Sequence, residues 1–245
     1  MTYAIAVADA HLDNLDQELA HFLSFLESIQ KSHPHTFYIL GDLFNFWVGT
    51  PKMQLPYQVP VIKALQTLRD NGMLVKYVEG NRDYFLSPLY WKAPFSDIAS
   101  EQMQERIGNL RVYLAHGDLV NVHDRPYRLW RRISRNRMIY TGFKCLPRSV
   151  ALRVAHFFEH TFRGTNRKNK SAFPVKTCET YARNLLQTGY DAVILGHFHE
   201  ERRQEFSLNG QKKYLYVLPA WRETHTYLQI SDQGACSFRK FSINT

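Results

Sequence analysis

Short runs of β-branched and aromatic residues recur at positions 3–8, 36–40, 74–79, 111–115, 191–195 and 214–218, and turn or polar residues follow each at once. Two more candidate strands lie at 226–230 and 237–241. Helical periodicity fills several intervals: 15–30 (Leu19, Phe22, Leu23, Leu26, Ile29), 59–70, and 177–188, which stops at Gly189 as a helix closed by a glycine does. Strands that alternate with helices predict an α/β sheet and not a stack of hairpins. The 245 residues are 44% apolar and 14% aromatic, enough for one large core and unlike a disordered chain. With no internal repeat or flexible linker, a single domain over 1–245 is expected.

Cys145, Cys178 and Cys236 are far apart and form no C-x-x-C pair, which argues against a disulfide framework or a thiolate zinc site and for a reducing compartment. The first nine residues lack a basic leader, and Asp9 breaks their apolar run, so neither a signal segment nor a membrane span is expected. The formal net charge of +9 is concentrated: residues 125–170 hold thirteen Lys/Arg against one acid, Glu159. In that segment Val150, Ala151, Val154, Ala155, Phe157, Phe158 and Phe162 recur at helical spacing, with Arg153, His156, His160 and Arg163 on the complementary face. Two readings of this basic amphipathic helix are open: packing on the domain with a solvated cationic face, or a surface that meets anionic lipid or substrate. The segment interrupts the strand–helix alternation and reads as a helical cap inserted at about 125–175.

The chemistry stands where the strands end. Asp9-Ala-His11 follows the first, Gly41-Asp42 the second, Gly80-Asn81-Arg82-Asp83 the third, His116-Gly-Asp118 the fourth and Gly196-His197-Phe-His199 the fifth. The ends of strands in an open α/β sheet converge on a crevice, so residues distant in sequence meet there. Asp9, His11, Asp42, Asn81, His116, His197 and His199 offer only oxygen and imidazole, a set suited to Mn, Fe or Zn at two adjacent sites with a bridging carboxylate. Singly, each block matches an ordinary turn or a surface histidine; their order along successive strands is what points to a metal centre.

Those blocks resemble the calcineurin-like metallophosphoesterases. The resemblance implies two mixed sheets packed as a sandwich, flanked by helices, with a dinuclear centre at the strand ends. It places Asp9, His11, Asp42 and His199 on one metal and Asp42, Asn81, His116 and His197 on the other, with Asp42 bridging and Mn²⁺ the favoured ion. Many members have His where this chain has Arg82. The Gly-Asn-Arg-Asp block, the run Gly-Asp-Leu-Phe-Asn-Phe-Trp47-Val-Gly, the ligand spacing and the length are similar to the family's branch of pyrophosphatases acting on UDP-linked diacylated glucosamine in lipid A synthesis. That likeness implies substrate contacts from Arg82, Asp124, Tyr127, Asn166, Lys170 and His197, and catalytic roles for Asn81, Arg82 and His116. It also implies peripheral attachment to the cytoplasmic face of an anionic inner membrane. The branch's Asn-x-x-Lys-Ser pattern is one residue longer here, Asn166 to Ser171, and its later segment is matched only at Ala220-Trp221.

On this reading two cations activate water and polarise a phosphoryl oxygen, water attacks the α-phosphorus, and UMP and a diacylated glucosamine 1-phosphate leave. Arg82 binds pyrophosphate oxygens through its paired donors. Asp83 either orients a ligand histidine or stabilises its loop, and Trp47 is either a pocket wall or core. Two other functions are open: a phosphodiesterase or phosphatase for another phosphorylated substrate, and a nucleic-acid-binding module using Arg128, Trp130, Arg131, Arg132 and Tyr140. Binding alone would not need such a ligand set, and no nucleic-acid partner is expected.

Overall fold

The computed structural model describes residues 3–15, 17–168 and 173–242. In chain order the first half contains β1 (Tyr3–Val7), α1 (Glu18–Ser32), β2 (Thr36–Ile39), β3 (Trp47–Val48), α2 (Gln58–Asp70), β4 (Leu74–Val78), β5 (Asp83–Tyr84), α3 (Ser87–Tyr90), β6 (Asp97–Ala99), β7 (Gln102–Ile107) and β8 (Leu110–Ala115). The second half contains α4 (Arg125–Ser134), α5 (Arg137–Cys145), α6 (Arg148–Lys168), α7 (Val175–Gln187), β9 (Ala192–Leu195), β10 (Arg202–Leu208), β11 (Gln211–Val217), α8 (Trp221–Thr224), β12 (Thr226–Ser231) and β13 (Cys236–Lys240).

Two mixed sheets form. One has six strands in the order β13-β12-β1-β2-β4-β6, the other five in the order β10-β11-β9-β8-β7. Neighbours β1, β2, β4 and β6 run parallel, as do β8, β9 and β11, while the outer pairings are antiparallel. The period-two pattern of each strand decides what it meets. Ala4 and Ala6 of β1 face the second sheet, together with Val112, Leu114, Ala192 and Ile194. Ile5 and Val7 face the other way, onto Phe22, Phe25 and Leu26 of α1 and Val61 and Leu65 of α2. The outer face of the second sheet is covered by α7 through Cys178, Ala182 and Leu186. This is the two-sheet, helix-flanked architecture the resemblance implies, and it gathers the carboxyl ends of β1, β2, β4, β8 and β9.

Trp47 belongs to the core. Its ring lies within 4.9 Å of Phe44 and 4.8 Å of Tyr90, centroid to centroid, and its indole N–H donates to the Tyr90 hydroxyl at 3.1 Å. Trp47→Ala is expected to cost about 3–5 kcal/mol, a large share of a domain's net stability. The check is a lower denaturation midpoint with unchanged dependence on urea.

Helix α6 answers the question left open by its periodicity. Ala151 and Ala155 are fully buried, and Phe158 stacks on Phe46 at 5.1 Å beside Met53, Leu55 and Tyr84. Ala151, Val154, Ala155 and Phe158 of the stripe therefore pack against the domain, while Phe157 is 65% exposed, Arg153, His156 and His160 are exposed, and the side chains of Phe162 and Arg163 lie outside the described residues. Helix α4 is turned the other way. Arg131 and Ser134 are buried on its domain side, whereas Leu129, Trp130 and Ile133 are half or more open to solvent (48–60%).

Candidate metal centre

Asp9 and His11 follow β1, Asp42 follows β2, Asn81 follows β4, His116 follows β8, and His197 and His199 follow β9. At these positions the chain makes abrupt turns: Asp9, His11, Asp42, His197 and His199 all have positive φ, from 42 to 71°. Side-chain-bearing residues adopt this left-handed region at a cost, and such strain persists only where surrounding structure fixes it. Here the fixing contacts are visible. Asp9 N–H donates to Gly41 C=O at 3.2 Å, His11 N–H to Asp42 C=O at 2.9 Å and Gly196 N–H to His116 C=O at 2.8 Å. Glycine is needed where the loops touch, since a Cβ on Gly80 would stand 2.2 Å from Asp42 Oδ1.

The side chains converge in overlapping sets. Asp9, His11 and His199 each offer a donor atom within 4.8 Å of the others, as do Asp9, Asp42 and His116. Asp9 is thus common to both sets. Asn81 Oδ1 lies 3.0 Å from His116 Nε2 and 3.1 Å from His197 Nδ1, which adds the remaining two candidates. All of these except His199 and Asn81 are buried or nearly so. His116 Nδ1 donates to the Leu40 carbonyl at 2.8 Å, so its Nε2 lone pair is left pointing toward Asn81 and Asp42.

The electrostatics suit a cation. Burial alone would raise the Asp9 carboxyl, but His116, His199 and His11 outweigh it and hold Asp9 ionised well below the usual range. Burial pushes His11 well below 6.5 and, with His116, takes His197 down to about 4, leaving neutral imidazoles fit to ligate. His116 and His199 shift the other way: burial opposes their charged form, yet Asp42 and Asp9 for His116, and Asp9 and Glu223 for His199, prevail. Asp42 is raised by burial despite His116 and Arg82. Asp42 contributes to the upward shift of both His116 and His199, so its charge is felt in both sets. Asp9 Oδ1 and His11 Nδ1 are buried without a hydrogen-bond partner among the described residues. An orphaned carboxylate oxygen ringed by imidazole nitrogens fits a divalent cation.

Arg82 is buried beside Asp42: its backbone N–H donates to Asp42 Oδ1 at 2.9 Å and its Nε stands 3.4 Å from Oδ2. Asp83 does not reach a histidine. Its Oδ2 accepts from the N–H groups of Asp42 and Gly80 and from the Tyr77 hydroxyl at 2.8–2.9 Å, so it clamps two ligand loops together. Asp124 caps α4 by accepting from the Tyr127 N–H at 3.0 Å, and the Tyr127 hydroxyl donates to Asp118. Asn166 falls on the last part of α6; its side chain, and Lys170, lie outside the described residues.

Several residues that position the centre are not given that role by the sequence; Arg131 enters there only in a nucleic-acid-binding reading. Arg131 donates to Asp118 and to Ser100 C=O at 2.8 Å, and Arg135 donates to Gly80 C=O at 2.5 Å and Asp83 C=O at 3.0 Å. Both come from the basic segment, where nothing separates a buried arginine from a solvated one. Glu79, raised to about 7 by burial, accepts from Leu86 N–H at 2.6 Å and shapes the loop carrying Asn81. Its place at the end of an apolar run was the available signal.

Comparison with known proteins agrees with this geometry. The model of the calcineurin-like phosphoesterase family matches residues 4–201. A UDP-2,3-diacylglucosamine hydrolase of Proteus mirabilis is 26% identical over 226 residues, covering 92% of this chain and 93% of its own. One from Edwardsiella ictaluri is 29% identical over 231 residues, covering 93% and 88%. Among solved structures, an archaeal phosphodiesterase superimposes with a TM-score of 0.51 at 12% identity, covering 98% of this chain, which speaks to the fold alone.

Proposed function

The chain belongs to the calcineurin-like phosphoesterase family and is a metal-dependent phosphoester hydrolase; from that premise we propose that it cleaves the pyrophosphate of UDP-2,3-diacylglucosamine. The products are UMP and the diacylated glucosamine 1-phosphate, in the synthesis of lipid A. The nearly full-length likeness to hydrolases of that name supports the nucleotide-sugar half of the substrate.

Helix α4 carries the lipid half. Its Arg131 and Ser134 turn inward; Arg131, and Arg135 just past the helix end, grip the loops around Asp118 and Gly80, and its Leu129, Trp130 and Ile133 turn outward beside exposed Arg128 and Arg132. A helix that shows solvent its apolar face has the wrong polarity for a water-facing surface and the right one for acyl chains at an anionic interface. With α5 and α6 it forms the cap on a single domain. No helix among the described residues is long and apolar enough to cross a membrane. The attachment we propose is peripheral, through this cap, at the cytoplasmic face of the inner membrane.

Asp9, His11, Asp42 and His199 would hold one divalent ion and Asp42, Asn81, His116 and His197 the other, Mn²⁺ being well matched to mixed carboxylate, carbonyl and imidazole donors. When bound, such a pair lowers the pKa of water, polarises a phosphoryl oxygen and fixes in-line geometry. Asn81 Oδ1 and His116 Nε2, 3.0 Å apart, present donor atoms to the same half of the centre, while the Leu40 carbonyl keeps the His116 ring in one orientation. Arg82, tethered to Asp42, is placed to take pyrophosphate oxygens with its guanidinium and to balance charge as the diacylated glucosamine 1-phosphate departs.

Arg82→Ala is expected to lower turnover by about 10²–10³, the usual loss for one donor to developing charge, with metal content retained. Loss of metal from that variant would make Arg82 a structural residue. The cap is tested by Leu129→Asp with Ile133→Asp. KM for the diacylated substrate should rise and binding to anionic vesicles should fall, while hydrolysis of a soluble phosphodiester is kept; equal losses on both substrates would remove the lipid role.

A further inference from the structure

Glu18 and His21 lie one helical turn apart at the start of α1, and His225 stands one residue past α8. His21 Nδ1 is 3.2 Å from Glu18 Oε1, and His225 Nε2 is 2.9 Å from Glu18 Oε2. The two imidazoles meet edge to face at 5.3 Å. One donor atom from each of the three residues lies within 4.8 Å of the other two. None of these residues belongs to the donor sets at the strand ends. His225 holds a left-handed backbone, φ 53°, with its N–H on the Trp221 carbonyl at 2.8 Å, and this turn brings it back over α1.

We propose that Glu18, His21 and His225 form a separate Zn²⁺ site. Two imidazoles and a carboxylate, with a fourth position left to water, are a donor set of tetrahedral zinc. Imidazole favours Zn²⁺ over Mg²⁺ or Mn²⁺, and two of the three donors here are imidazoles. Ligands about 2.0–2.1 Å from a tetrahedral ion stand about 3.3 Å from each other, close to the 3.2 and 2.9 Å that separate the Glu18 oxygens from His21 Nδ1 and His225 Nε2. They are only 18–23% exposed, so they are held in place yet open to water and metal.

The site would tie the first turn of α1 to α8. That short helix already supports the crevice: Arg222 donates to the His11 carbonyl at 2.6 Å and pairs with Asp13 at 3.5 Å, and Glu223 lies 3.7 Å from His199 Nδ1. A Zn²⁺ ion at Glu18, His21 and His225 would therefore stiffen the wall behind His11 and His199 without entering the reaction.

Protein stripped of metal, reloaded with Mn²⁺ and dialysed against micromolar Zn²⁺ gives the test, with total zinc per chain measured by mass spectrometry. Wild-type protein is expected to retain one equivalent of zinc more than His21→Gln, His225→Gln or Glu18→Gln, and to show a zinc-dependent rise in its unfolding midpoint that each variant lacks. Exchange of Mn²⁺ for Zn²⁺ at the strand ends occurs in all four proteins and cancels in the difference. Circular dichroism verifies that each variant is folded. Equal zinc in wild type and the folded variants, or an extra equivalent taken up only at millimolar zinc, would overturn the site and leave a hydrogen-bonded cluster.

Discussion

Asp42→Asn is expected to lower turnover by about a thousandfold, since several kcal/mol of charge stabilisation, about 4, corresponds to that factor. Asparagine isolates the charge from the backbone. It tolerates the left-handed φ of 54° at this position and can still accept the Arg82 N–H through its carbonyl oxygen. What disappears is the negative charge that supports His116 on one side and His199 on the other, and that Arg82 stands against at 3.4 Å. Metal per chain, measured beside turnover, should fall from two ions to one or none. Two ions with normal turnover would remove Asp42 from its bridging role and leave Asp9, which belongs to both donor sets, as the shared carboxylate.

Exhaustive chelation should abolish activity, and Mn²⁺ should restore it. It should also change stability in a pH-dependent way. In metal-free protein, burial holds Glu79 up at about 7 and, with Asp42 added, Asp83 at about 7 as well, against ordinary values of 4.5 and 3.8. Between those values and about 7 the folded state keeps protons that the unfolded chain has released. These two carboxyls therefore contribute stability that is present at the acid end of this window and lost as pH rises through about 7, while His11 and His197, held below their ordinary value, contribute with the opposite sign. Thermal melts of metal-free wild type and Glu79→Gln from pH 4 to pH 8 isolate the carboxyl contribution: the variant should gain on wild type as pH rises, and a variant that loses ground over that interval would contradict it.

The central strands and the metal blocks were legible because they obey two strong rules. β1, β2, β4, β8 and β9 are near-continuous apolar runs, as strands buried on both faces must be, and each stops at a chemically loaded residue. The edge strand β13 was legible at 237–241, but the edges of the second sheet were not. β7 (Gln-Met-Gln-Glu-Arg-Ile) and β10 (Arg-Arg-Gln-Glu-Phe-Ser-Leu) are half exposed, and their polar residues look like loop until a neighbour supplies the pairing.

The basic segment misled in an instructive way. Periodicity marked α6 as the helix with an apolar face to offer, yet that face is spent on Phe46, Met53 and Leu55. Helix α4, whose Arg131 the sequence offers only as a nucleic-acid contact, buries that residue and exposes Trp130. Period alone fixes which residues share a face and says nothing of which face the domain will take, because an aspartate such as Asp118 can bury an arginine as firmly as a methionine buries a phenylalanine. Asp83 shows the same limit: its type fitted a partner for histidine, and only the fold shows its oxygen held by Tyr77, Gly80 and Asp42.

Hydrolysis of UDP-2,3-diacylglucosamine in ¹⁸O-labelled water by the Mn²⁺-loaded protein tests the assignment most directly. Mass analysis of both products should find one labelled oxygen in the phosphate of UMP and none in the diacylated glucosamine 1-phosphate, as attack at the α-phosphorus requires. Intact substrate beside rapid cleavage of a simple phosphodiester, or label in the sugar phosphate, would contradict it.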